Sequence, residues 1–192
     1  MRNTFLLALL GASLALGGCA TTPPSNAGNI CSIFDQKNGW YNDAKDANAK
    51  WGTPIHVMMA IIKQESHFRH DAQPARKKIL WVIPGKRPSS AYGYPQALDG
   101  TWAAYKKDTN SFFADRDDFA DSVDFVGWYT DNSQRKLGIS KWDAYNQYLA
   151  YHEGQGGYAR GSYHKKGWLK TVAKKVDSTA RTYGAQLRQC RG

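Results

Sequence analysis

The sequence predicts a mainly α domain that carries one minor β element. Three observations lead there: from Cys31 onward apolar residues recur at helical spacing, a single stretch near residue 80 has strand character, and no internal repeat divides the 192 residues. At 42% hydrophobic, 13% aromatic and 22% charged, the chain has the composition of one globular domain with a sizeable core. In order, Ile33, Phe34, Trp40, Tyr41, Ala44, Ala47 and Trp51 predict one or two amphipathic helical pieces, weakened at Gly39. Thr53-Pro54 reads as a helix start, a capping hydroxyl followed by proline in the first turn. Ile55, Met58, Met59 and Ile62 mark one face of the helix that follows. Residues Lys78 to Ile83, closed by Pro84-Gly85 and Pro88, read as a strand with a turn, a small β-hairpin. A short helix is expected through Thr101–Tyr105, and another from Asp115 to Tyr129 with Phe119, Val123 and Val126 along one side. Ser140 can cap a helix bearing Trp142, Tyr145, Leu149 and Tyr151, which Gly154, Gly156 and Gly157 stop. Gly167 to Arg188 predicts a final long helix whose inner stripe is Leu169, Val172, Val176, Ala180 and Tyr183.

Residues 1–18 read as an export signal: Arg2, an apolar run from Phe5 to Leu16 too short to span a bilayer, then small residues. Leu16-Gly17-Gly18-Cys19 resembles the lipobox of bacterial lipoproteins, which implies lipid on Cys19. In such proteins Ala20, rather than Asp, after the cysteine implies the outer membrane of a Gram-negative cell, with the protein facing the periplasm. An ordinary cleaved signal with an incidental cysteine is the alternative. Residues 19–29, rich in Pro, Ser and Asn, then read as a flexible tether to a domain over 30–192. With Cys19 lipidated, Cys31 and Cys190 remain as a pair in an oxidising compartment; a disulfide there would clip the domain's termini together. Two buried free thiols are the alternative. Formal charge is +10, of which loss of residues 1–18 removes only Arg2. A basic surface suits a polyanionic partner, and export favours anionic wall polymer or lipid headgroups over nucleic acid. The basic residues concentrate at Arg76-Lys77-Lys78, at Lys86-Arg87 and from Lys165 to Lys175, although solvated helix faces account for much of this.

One carboxylate breaks the pattern. Glu65 lies about 20° round the helix from Met58, within the apolar stripe. Burial and a place near a helix C-terminus both disfavour its charged form, so it is expected to keep its proton towards neutral pH, as a general acid must. The alternative is that Glu65 frays outward and pairs with Arg69. His67, His70 and His152 do not form a zinc signature: no H-E-x-x-H is present, and neither metal nor cofactor is expected.

The stretch around Glu65 reads Glu65-Ser66-x-Phe68-x-x-x-Ala72. Downstream come Gly93-Tyr94-Pro95-Gln96-Ala97-Leu98-Asp99-Gly100-Thr101 and Ala150-Tyr151-His152-Glu153-Gly154. These resemble, in order, the E-S-x-F-x-x-x-A, G-L-M-Q-x-x-P-x-T and A-Y-N-A-G signatures of the soluble lytic transglycosylase family, a lysozyme-like group that cuts peptidoglycan. The resemblance implies a lysozyme-like α+β domain, a helical bundle around a catalytic cleft. Glu65 would protonate the bond between N-acetylmuramic acid and N-acetylglucosamine. It would then take a proton from the muramic C6 hydroxyl as that oxygen closes on C1, leaving a 1,6-anhydro end. The resemblance further implies hydrogen bonding near Glu65 from Tyr151, substrate contacts from Ser66, Gly93, Gln96 and His152, and flat faces for sugar rings from Tyr92 and Tyr94. Core packing of either tyrosine is an equal alternative. The chain departs from the pattern at Tyr94-Pro95, at Asp99 and at His152-Glu153. Glu153 is expected as an exposed helix-end residue; facing Glu65 across the cleft, it would instead favour a hydrolytic muramidase. A wall-binding lipoprotein without catalysis is the remaining alternative. The longer spacing between Glu65 and Gly93 holds the basic 76–90 insertion with Trp81, whose role is open.

Overall fold

The computed structural model describes residues 22–76, 78–80 and 83–191; the expected export signal, Cys19 and Trp81 lie outside these. The fold is mainly helical. Eight α-helices among the described residues follow in order: α1 (Ile30–Gln36), α2 (Trp40–Trp51), α3 (Ile55–Ser66), α4 (Asp99–Thr109), α5 (Phe119–Leu137), α6 (Ala144–Glu153), α7 (Gln155–Ala159) and α8 (Gly167–Cys190). Strand β1 (Lys78–Ile79) pairs antiparallel with β2 (Ile83–Pro84), Lys78 opposite Pro84.

Helix α3 is the axis. Its apolar residues are buried all round, Val57, Ala60 and Ile61 as well as the expected stripe, because α2, α5, α6 and α8 all pack against it. Helices α1 and α2 split at Gly39, whose φ of 89° is open to glycine alone at little cost. Thr53 does not cap α3: its buried hydroxyl shares a 2.7 Å hydrogen bond with the Thr130 hydroxyl, tying the start of α3 to α5. The starts of α5 and α6 are set by aspartates. Asp118 accepts from the Asp121 amide, and Asp143 from the Asn146 amide, so both helices begin later than the apolar pattern suggests and Trp142 stays outside α6.

The final helix packs on α3 and α6, with Leu169, Ala173, Val176, Ala180 and Tyr183 buried. Cys31 and Cys190 are joined by a disulfide, Cα–Cα 6.2 Å. Residues 22–29, expected as a tether, are docked: Tyr183 donates to the Ala27 carbonyl, Gln186 to the Gly28 carbonyl, and Ser25 bonds Gln36.

Candidate active site

Helix α3 stops one residue after Glu65. His67 and Phe68 both take positive φ, 53° and 61°, and the His67 amide caps the Lys63 carbonyl. Two successive left-handed residues without glycine are costly, and the buried Phe68 ring, 5.8 Å from that of Trp40, holds the turn in place. Glu65 therefore sits where the last carbonyls of the helix point, an environment hostile to negative charge.

It lines a cavity of about 290 Å³ together with Gln96, Thr101, Phe125, Tyr129, Tyr151, His152, Glu153 and Gly154. Glu65 Oε1 is buried and has no hydrogen-bond partner. Burial pushes the carboxyl up to about 7, against the pull of a hydrogen bond from the Tyr148 hydroxyl. Glu65 makes no pair with Arg69, whose guanidinium reaches Asp71 instead.

The hydrogen bond expected from Tyr151 thus comes from Tyr148, one turn earlier on α6. Tyr151 lies beside Glu65 but donates to the Pro95 carbonyl at 2.6 Å. Its ring packs edge-on against Tyr129, centroids 4.9 Å apart. Burial pushes the phenols of Tyr129, Tyr148 and Tyr151 up, so all three remain neutral donors around the acid.

The opposite wall is the 92–98 loop. Gly93 has φ of 73°, and a Cβ there would lie 2.0 Å from the Arg116 carbonyl oxygen. Its amide donates to the Ala72 carbonyl at 2.9 Å, so the loop is laid on the segment that follows Glu65. Gln96 locks the arrangement, its amide donating to Ala72 O at 2.7 Å and Gly93 O at 2.9 Å from within the cavity wall.

Other expected contacts fall elsewhere. Ser66 is buried, its hydroxyl donating back to the Ile62 carbonyl. Tyr94 is a core residue, edge-on to Trp40 and Phe119 at 5.5 and 5.7 Å, because Gly93 turns it away from the cavity. Tyr92 does not line the cavity either: its hydroxyl donates to Asp117, and the Arg116 guanidinium lies over its ring. The aromatic walls, beside Tyr151, are Phe125 and Tyr129 instead. Their i, i+4 spacing on one face of α5 is visible in the sequence, as is the i, i+3 relation of Tyr148 to Tyr151.

Glu153, expected to be exposed, has a side chain only 3% accessible. Burial alone would raise its pKa, but hydrogen bonds from Lys166, Ser162 and His152 pull it down to about 2. The cavity thus holds one carboxyl that retains its proton and one that is fixed in its charged form. Among the described residues no group of three His, Cys, Asp or Glu side chains is placed to hold a metal ion.

No curated protein matches this chain. A family model described as Transglycosylase SLT domain matches residues 7–190. That span is nearly the whole chain and contains every residue of the cavity, so the protein belongs to the transglycosylase SLT domain family of the lysozyme-like superfamily, whose members act on peptidoglycan.

Proposed function

We propose that the protein is a peptidoglycan lytic transglycosylase with Glu65 as its single acid and base. The reading rests above all on the buried, unpartnered Oε1 of a carboxyl still protonated near neutrality on the wall of a cavity. Glu65 gives its proton to the glycosidic oxygen as the bond from that oxygen to C1 of the muramic residue breaks. The C6 hydroxyl oxygen then bonds to C1, and its proton passes to the Glu65 carboxylate, restoring the acid. The substrate's own N-acetyl group can steady positive charge at C1, so no second carboxylate is required. Glu153 supports this outcome over hydrolysis: it shares the cavity, but Lys166, His152 and Ser162 occupy both its oxygens, leaving it poorly disposed to activate water or attack C1.

Digestion of purified sacculi followed by mass spectrometry tests the proposal. Fragments ending in 1,6-anhydro-muramic acid are expected. Reducing ends would mean a muramidase, and absence of fragments a wall-binding protein. The lipobox-like sequence at Cys19 further supports anchoring to the outer membrane on its periplasmic side. Incorporation of labelled palmitate, lost in Cys19→Ala, is the expected result.

A further inference from the structure

Where the family pattern carries Asn-Ala, this chain carries His152-Glu153, and a corner of the cavity is built around that pair. Glu153 Oε1 accepts from Lys166 Nζ at 2.7 Å and lies 3.1 Å from His152 Nδ1, while Oε2 accepts from the Ser162 hydroxyl. Residues 154–166 are shaped to enclose it. Gly154 turns the chain at φ 72°, and a Cβ on Gly157 would come within 3.2 Å of both Glu153 Cβ and Ser162 Oγ.

A carboxylate held this way fixes its neighbour's ring. Ionised Glu153 can only accept, so Nδ1 of the neutral imidazole carries the proton and Nε2 is left with its lone pair. Nε2 makes no hydrogen bond among the described residues, although His152 lines the cavity that contains Glu65. The Trp168 ring stands edge-on to the imidazole at 5.2 Å, and Tyr148 flanks it at 6.5 Å. The ring is thus held by a hydrogen bond and by two aromatic neighbours, with one acceptor unspent.

We propose that Glu153 is a positioning residue that presents His152 Nε2 as a hydrogen-bond acceptor for an N–H or O–H group of the glycan. The pair then sets substrate affinity at this wall of the cavity rather than the chemical step. The proposal rests on the peptidoglycan-cleaving reading above, which supplies N-acetylated sugars rich in such donors.

The test combines kinetics on soluble glycan strands with nitrogen–proton NMR of the imidazole, in the full chain and in His152→Ala, Glu153→Ala, the double variant and Glu153→Gln. His152→Ala is expected to raise KM on the order of tenfold with kcat little changed, the size of one lost hydrogen bond. Glu153→Ala should match it, and the double variant should be no worse than either single one, because Glu153 acts through the ring. Glu153→Gln, whose amide oxygen still accepts, should recover most of the affinity. The NMR signature should change from a proton on Nδ1 in the parent to one on Nε2 in Glu153→Ala. A folded Glu153→Ala with the parent's KM, additive losses in the double variant, or an unchanged tautomer would each overturn the proposal. His152 lies at the surface, so its alanine variant is expected to fold and an unaltered KM there is decisive by itself. If the parent releases no anhydro fragments, the peptidoglycan reading is what fails, and the tautomer result then stands alone.

Discussion

Glu65 meets two opposing demands: water would stabilise its charge, while its task needs that charge suppressed until a sugar oxygen has taken the proton. The structure resolves them by leaving Oε1 buried and unpartnered and by surrounding the carboxyl with phenols that can support the anion once it forms. Glu65→Gln keeps the shape and removes the proton, so turnover of sacculi should fall by about 10³-fold or more; activity within tenfold of the parent would contradict the role. The same burial links stability to pH. The folded carboxyl holds its proton up to about 7, whereas an ordinary glutamate gives it up near 4.5. The contribution is therefore fully present below pH 4.5 and lost as pH rises through 7, by up to about 3 kcal/mol. Urea midpoints at pH 5 and pH 8 should consequently drop more for the parent than for Glu65→Gln, and equal drops would mean the acid is not shielded. For the reaction itself, kcat/KM should fall about tenfold per pH unit above about 7, where the proton is gone.

At the scale of elements, the cavity depends on how the 92–98 loop is laid against α5 and the end of α3. Gly93 is the pin. Any side chain there would meet the Arg116 backbone oxygen at 2.0 Å in a left-handed conformation, and backbone cannot swing aside as a flexible side chain can. Gly93→Ala should cost more than about 2 kcal/mol in chemical unfolding and reduce activity with it; an unchanged midpoint would show that the loop is not held as described. The central helix, the final helix and Glu65's place in an apolar stripe were legible in the sequence, because 3.6-residue periodicity reports burial directly. What periodicity misses is the choice among competing caps. Thr53 is drawn to Thr130 across the core, and Asp143, not Ser140, starts α6. It also misses where a positive φ redirects the chain, so Tyr94, two residues from Tyr92 in an apparent sugar-binding stretch, becomes core. The burial of Glu153 is hidden for a related reason: its partner Lys166 comes thirteen residues later, beyond α7 and a 3₁₀ turn, and nothing local announces the pairing.

Across the whole molecule, α8 serves both ends of the fold. Its first turn lies beside Lys166 and the Glu153 corner of the cavity, while its last residue, Cys190, is bonded to Cys31 in α1. Over 24 residues those ends are about 35 Å apart. The C-terminal end also holds the docked strap: Gln186 accepts from the Ile30 amide at 3.0 Å, and Arg191 pairs with Asp35 at 2.9 Å. Closing a loop with a sequence separation of 159 removes much freedom from the unfolded chain, in principle about 4–5 kcal/mol. The strap's hydrogen bonds depend on α1 staying against α8, so cutting the bridge should loosen both together. Cys31→Ser/Cys190→Ser is thus expected to lower the unfolding free energy measured in guanidinium by several kcal/mol, and to increase amide exchange over residues 22–36 before any other part of the fold. Turnover at 25 °C should stay near that of the parent, because the cavity lies at the opposite end of α8 and none of its lining residues touches the bridge. Loss of activity in a variant still folded at that temperature would mean that the two ends of α8 are mechanically coupled, and that the disulfide tunes the cavity as well as the stability.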